Sequence, residues 1–196
     1  MYVQIYIYML SNKKNIIRKV NHMIFRKSNA QDIDKMMDIV NDAKSLLKSQ
    51  NINQWQSGYP NRLLLEQDIK DGIGYVLCDG GDIVGMCAIT FGADESYYKI
   101  DGHWKTNNSN YAVVHRMAVA NNKHNQGLGV KIYQEAEKLA IKQNIQSIRA
   151  DTHQDNIAMQ KTMKKSGFEP CGIIHIKGGE ENGHPRLAME KIIITK

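Results

Sequence analysis

The sequence predicts a mixed β-sheet flanked by helices, and three observations carry that prediction. Short apolar runs suited to strands alternate with segments whose apolar residues recur at helical spacing. Two of the strand-like runs, YVLCDG and DIVGMCAITFG, are separated by Gly80 and Gly81 in the position of a hairpin turn. No repeat and no linker divides the body, so the elements stack around one core, for which 196 residues and 42% apolar content suffice.

In chain order, MIFRK is a short strand. The segment SNAQDIDKMMDIVNDAKSLLKSQN then sets Ile33, Met36, Met37, Val40, Ala43 and Leu47 at helical spacing, with Asn29 as N-cap and Asp32 in the first turn. INQWQSGYP is a loop, and Pro60 opens a shorter helix, NRLLLEQDIKDG, that Gly72 closes. The hairpin follows, residues 93–110 are polar and irregular, and YAVVHRMAV is a third clear strand. From Gln126 to Ala140, Leu128, Ile132, Ala136 and Leu139 repeat with a helical period. IQSIRADT is a strand, NIAMQKTMKKSG a helix ending at Gly167, and CGIIHIKGGEENGHPRLAMEKIII two strands joined by a turn rich in Gly and Asn.

The formal charge of +6 is unevenly spread. Residues 1–22 hold Lys13, Lys14, Arg18 and Lys19 and no acid; removing these four from 26 basic residues leaves 22 against 20 acidic ones, a near-neutral body that argues against a nucleic-acid footprint. The start, MYVQIYIYML, lacks the preceding basic residues and small-residue cleavage site of a signal peptide and is too short to span a bilayer. Its alternating Tyr and Ile suit a strand, and residues 1–22 are expected to be an appendage on a domain of residues 23–196, an upstream translation start being the alternative. Cys78, Cys87 and Cys171 are odd in number, widely spaced and without a C-x-x-C pair, which fits a reducing, cytoplasmic setting with no disulfide framework and no metal knuckle.

The stretch VHRMAVANNKHNQGLGVKIYQEAEKLA runs from an apolar strand through a polar loop into a helix. A helix N-terminus presents unpaired N–H groups and a partial positive charge, and Gly127 and Gly129 let backbone approach an anion without an intervening Cβ. A P-loop would need G-x-x-x-x-G-K-[ST], and a Rossmann fingerprint a third glycine where Ile132 stands; neither is present. A tight strand-to-helix turn without a ligand is the alternative for an isolated pair of glycines.

The pair is not isolated. A strand ending in MAV, the loop HNQGLG opening a helix, a further strand, and Asn156 about ten residues before Gly167 and Phe168 together resemble the GNAT superfamily of N-acetyltransferases, from about Met23 to the C-terminus. The resemblance implies a mostly antiparallel sheet of about six to seven strands with a splayed pair, flanked by about four helices. It implies acetyl-coenzyme A as co-substrate, its pyrophosphate held by the amides of the loop and helix start, from His124 and Asn125 through Gln126, Gly127, Leu128, Gly129 and Val130. The backbone of Met117, Ala118 and Val119 would pair with the pantetheine arm, and Asn156 would bond the cofactor near its reactive end. Two positions depart from the family pattern: His124 stands where Gln or Arg is usual, and Met163 where many relatives carry a tyrosine that protonates the departing thiol.

The implied reaction is attack of a neutral primary amine, on a small molecule or peptide, upon the thioester. A thiol with pKa about 8.5 departs without obligatory protonation, whereas a lysine-like amine of pKa about 10.4 must lose a proton at pH 7. His115, four residues before Val119 where several relatives carry a catalytic glutamate, is the candidate base, the alternative being a satisfied core histidine. Period two places Arg116 on the opposite face, where an acidic partner is expected. For the acceptor, Trp55, Asp101, Trp104 and His153 are the candidate contacts, with Asp151 beside the last; the two tryptophans could equally cap the core. The expected partners include neither nucleic acid nor membrane, and a homodimer is left open. Two rivals remain: a non-catalytic acyl-coenzyme A module, which Met163 permits, and a nucleic-acid modifier guided by residues 1–22.

Overall fold

The computed structural model describes residues 23–107 and 110–193; the appendage and the strand expected within residues 1–22 lie outside them. Among the described residues, eight strands form one sheet: β1 (Met23–Lys27), β2 (Gly74–Asp79), β3 (Asp82–Phe91), β4 (Ile100–Gly102), β5 (Ala112–Val119), β6 (Ser147–Thr152), β7 (Glu169–His175) and β8 (Pro185–Ile192). Their order is β1-β2-β3-β5-β6-β8-β7-β4, antiparallel at every junction except β5–β6. Four α-helices complete the fold, α1 (Ile33–Ser49), α2 (Arg62–Lys70), α3 (Leu128–Lys142) and α4 (Ile157–Lys165).

The expected mixed, mostly antiparallel sheet is present, with one strand more than six to seven. The extra strand is β4, three residues inside the segment expected to be irregular. It sits against β7 at a very close crossing, where a Cβ on Gly102 would lie 2.2 Å from the Cys171 carbonyl oxygen and one on Gly172 2.1 Å from that of Asp101. Both glycines have positive φ, so backbone contact here replaces the side-chain pattern by which a strand is recognised.

Local chemistry sets the other boundaries. Asn29 caps a single 3-10 turn, Ala30–Asp32, which leads into α1: its side chain accepts from the Gln31 amide, and Asp32 accepts in return from the Asn29 amide at 2.8 Å. Asn61, not Pro60, begins α2, because its side chain accepts from the Leu64 amide at 3.0 Å. Gly72 follows with φ +67 and closes that helix. Gly80 and Gly81, both at positive φ, make the two-residue β2–β3 turn.

Alternation along β2 divides the core between two faces. Val76 and Cys78 pack with Met36, Ile39 and Val40 of α1, whereas Tyr75 and Leu77 pack with Ile132, Tyr133 and Ala136 of α3 and with Met163 of α4. Cys78, Cys87 and Cys171 are free thiols. Where α3 begins, Gly129 lets α4 approach: a Cβ there would stand 2.7 Å from Cγ2 of Thr162. Gly129 is therefore required by helix packing, and Gly127, with φ +75 and open space around its missing Cβ, by the turn.

Strand β5 carries the irregularity that positions the site. Its pairing with β3 passes from Ala118↔Met86 to His115↔Ala88, so two residues of β5 oppose one of β3, and Arg116 takes φ +53 in the resulting bulge. The strict period of two is broken there, although the expected acidic partner is found. The Arg116 guanidinium makes a two-pronged pair with Asp68, at 2.9 and 2.7 Å, and donates to the Tyr59 hydroxyl at 3.2 Å. On its other side β5 pairs with β6 only at Ala112↔Ile148 and Val113↔Arg149, then departs, while β6 stays with β8 as far as Thr152. This is the splay that the family resemblance implies.

Asp68→Ala is expected to destabilise the protein by about 3–5 kcal/mol, since it strands a buried guanidinium. Urea unfolding measures this, and adding Arg116→Met should recover much of the loss. Gly129→Ala should cost about 1–3 kcal/mol by overpacking, and Thr162→Ser in the same chain should restore most of it by deleting the obstructing methyl.

Candidate active site

A cleft of about 1390 Å³ runs from the N-terminus of α3, past the splay, to a chamber between the α1–α2 loop, the segment after β3 and the β7–β8 turn. At its first end Lys131 donates to the Gly127 carbonyl, which is the earliest bond of α3, and no side chain caps the helix. The amides of Leu128, Gly129 and Val130 therefore start the helix without intrahelical partners. Asn125 and Gly127, at φ +63 and +75, bend the loop into this helix start, and the space where a Cβ on Gly127 would stand is open. His124, Asn125, Gly127, Leu128, Gly129 and Val130 all line the cleft, and Gln126 is exposed beside it. Lys123, Lys161 and Lys165 add positive charge at this end.

Next come Met117, Ala118 and Val119, whose one edge is paired with β3 through Ala118↔Met86 and Val119↔Gly85. The other edge has lost β6 and faces the cleft, so its backbone groups are free to pair with an extended ligand. Asn156 also lines the cleft, but its side chain is already engaged. Its carbonyl oxygen accepts from the Met159 amide, capping α4, and its amide nitrogen donates to Gln54 Oε1 at 3.0 Å. Gln54 in turn accepts from the Thr152 hydroxyl and the His153 amide, so it fastens the α1–α2 loop both to the end of β6 and to the start of α4.

At the bulge, His115 lines the cleft with Nε2 3.2 Å from Asp94 Oδ2. Burial opposes ionisation of Asp94, but the His115 ring and the Ser96 amide together hold its carboxyl below the ordinary value. Beyond lies Asp151, which accepts from the Tyr97 hydroxyl at 2.8 Å and is pushed upward by burial despite His115, Tyr97 and Arg186 nearby. The chamber wall is tied together by Glu181, which accepts from the Trp55 amide at 2.7 Å and from Arg186 at 2.7 Å.

Of the four acceptor candidates, only Trp55 borders the cleft; it is buried, at φ +65, with its ring edge-on to Tyr59. Trp104 donates from its indole to the Tyr97 carbonyl and lies beneath the Arg149 guanidinium, capping a side core. Asp101 is exposed in β4, on the edge of the sheet. His153 does not line the cleft, and its Nδ1 accepts from the Asp155 amide at 3.2 Å. Sequence reading missed Asp94, hidden in the polar segment after β3; its one signal was Asp two residues before Ser, the pattern of a side chain closing its own turn onto the Ser96 amide. Among the described residues, no group of three or more His, Cys, Asp or Glu is placed to hold a metal, and no helix is long and apolar enough to cross a membrane.

Comparison with known proteins bears on this geometry. The family model described as Acetyltransferase (GNAT) family matches residues 36–168. An acetyltransferase of the GNAT family from Streptococcus agalactiae is 30% identical, with a TM-score of 0.78 over 88% of this chain and 96% of that one. A ribosomal-protein-alanine N-acetyltransferase from Brucella melitensis, 20% identical, superposes with a TM-score of 0.60 over 87% of this chain and 99% of its own. An aminoglycoside acetyltransferase in complex with coenzyme A and kanamycin, 15% identical, gives 0.62 over 87% and 94%. The search of curated protein sequences finds no match. With a family model spanning more than half of the sequence, and a free helix start and splayed strand pair in its fold, this chain belongs to the GNAT family of acetyltransferases.

Proposed function

We propose that the protein transfers the acetyl group of acetyl-coenzyme A to a primary amine of a small molecule or peptide. The observation that carries this reading is the continuity of the cleft: unpaired amides, then a free strand edge, then His115 held by Asp94, then an acidic chamber. The residues present suit the coenzyme. A Cβ at Gly127 would meet nothing, three amides lack partners, and the free edge of Met117–Val119 suits an extended amide-bearing arm. When bound, the coenzyme supplies an acetyl carbon activated as a thioester.

The chain's own residues supply orientation and proton handling. Asp94, Glu95, Asp151, Glu180 and Glu181 line the chamber against Lys177 and Arg186, a balance that draws in a cationic amine. The amine arrives protonated, because a lysine-like group of pKa about 10.4 is charged at pH 7. With Asp94 engaging Nε2, the His115 ring presents Nδ1 as its lone-pair nitrogen, suited to taking that proton. A non-catalytic acyl-coenzyme A module is the second reading, favoured by the buried Met163 at the position of the family's tyrosine acid.

Release of free thiol from acetyl-coenzyme A in the presence of peptides, polyamines and aminoglycosides tests the proposal. Turnover with one of them is expected; coenzyme binding without turnover on any would favour the module. Gly127→Glu should abolish coenzyme A binding by calorimetry through bulk and charge, while the far-ultraviolet circular dichroism stays unchanged. His115→Ala should lower turnover about 10²-fold at pH 7 and less at pH 9, where more of the amine is already neutral. An equal loss at both pH values would reject the histidine as base.

A further inference from the structure

We propose that Tyr133 donates the proton to the departing sulfur, the role left open where Met163 replaces the family's tyrosine; this rests on the acetyl-transfer reading above. Tyr133 lies on α3, one turn beyond the free amides, and lines the cleft. Its ring is fixed against Phe168, with centroids 4.7 Å apart, and the residue is 2% exposed. The hydroxyl reaches toward the first turn of α4, where it donates to Met159 Sδ at 3.9 Å. A thioether is a weak acceptor, so this proton is barely engaged.

The other two phenols at the cleft each have a charged partner. Tyr97 donates to Asp151 at 2.8 Å, and Tyr59 accepts from Arg116 at 3.2 Å. Among the described residues lining the cleft, Tyr133 is therefore the phenol whose hydroxyl has no oxygen or nitrogen partner. Burial pushes its ionisation upward, and the Asp151 carboxylate at the end of β6 adds to this, so the hydroxyl is protonated throughout the neutral range. Met163 is wholly buried and carries no titratable atom.

Tyr133 Oη gives its proton to sulfur as the C–S bond breaks and the electron pair of that bond moves to sulfur. The new bond joins the amine nitrogen to the acetyl carbon, and the proton lost by nitrogen goes to His115. Solvent entering the open cleft then returns a proton to the Tyr133 oxygen and removes the one held by His115.

The test is Tyr133→Phe in the full chain, which deletes one oxygen and leaves the ring packing on Phe168. Calorimetry with coenzyme A and with desulfo-coenzyme A reads the hydrogen bond without turnover. The native protein should favour coenzyme A several-fold, and the variant should bind both ligands with the native affinity for the desulfo form. With a productive amine, kcat should fall about 10²-fold while KM for acetyl-coenzyme A stays within about twofold. A preference for the thiol that persists in the variant, an unchanged kcat, or a parallel loss of affinity for both ligands would overturn the assignment. If no amine is acetylated by the native protein, the acetyl-transfer reading fails, and the two-ligand comparison still decides whether Tyr133 bonds the sulfur.

Discussion

The departure of β5 from β6 is the constraint on which the rest of the structure depends. Two strands that pair for only two residues and then separate leave a backbone edge unpaired in the middle of a sheet, which is costly unless something compels it. Here the bulge at Arg116 bends β5 away, and the bend is fastened from the opposite side by the two-pronged pair with Asp68 on α2. A guanidinium at 10% exposure and a carboxylate at 4% tolerate burial only together, so the register of the bulge and the seat of α2 are set jointly. His115 precedes the bulge and Ala118 follows it, and the same bend therefore sets a side chain at the cleft and frees a strand edge beside it.

The second organising feature is a network of buried polar contacts around the chamber. Glu181 reaches from the β7–β8 turn to the Trp55 amide and to Arg186, and Gln54 gathers donors from Thr152, His153 and Asn156. Neither network adds much net stability, because desolvation of each charged or polar group offsets most of the attraction. What they provide is position. The α1–α2 loop has no regular structure from Ile52 to Asn61, yet Gln54 and Trp55 hold it against two distant parts of the sheet. Removing one partner would leave another buried and unpaired, so the wall of the chamber is held as a unit.

Much of this fold is written locally. The helices follow from apolar spacing and side-chain caps, the β2–β3 turn from paired glycines, and the start of α3 from the HNQGLG loop; each is decided within a few residues. The positive φ of Arg116 is different, because no glycine announces it and its cause, Asp68, is 48 residues away. β4 is hidden for a similar reason: three residues give no periodicity, and Gly102 and Gly172 matter only once their strands are face to face. In the candidate site, the loop end was legible in outline because its geometry rests on backbone amides and glycines, which a local motif announces. The acceptor end was not, since proximity in sequence to the splay says nothing of orientation. Asp101, Trp104 and His153 are near the right segments and off the cleft, while Asp94 reaches His115 from a stretch without pattern.

The two ends of the cleft also differ in charge, and this follows from how the chain is threaded. The loop before α3 and the body of α4 bring Lys123, Lys161 and Lys165 to the cleft, while the segment after β3 and the β7–β8 turn that close the chamber bring Asp94, Glu95, Glu180 and Glu181. An anionic carrier and a cationic amine would thus enter the same cavity toward opposite ends, each repelled from the other's place. Such orientation acts before contact and weakens as salt shortens the reach of charge, to about 8 Å at physiological ionic strength. Steering alone would leave the amine protonated, because the carboxylates that attract it also favour its charged form. On the proposed reading, the His115–Asp94 pair at the junction would answer that difficulty: the imidazole, held by a carboxylate, stands between the acidic chamber and the free strand edge, where the amine would have to lose its proton to become a nucleophile.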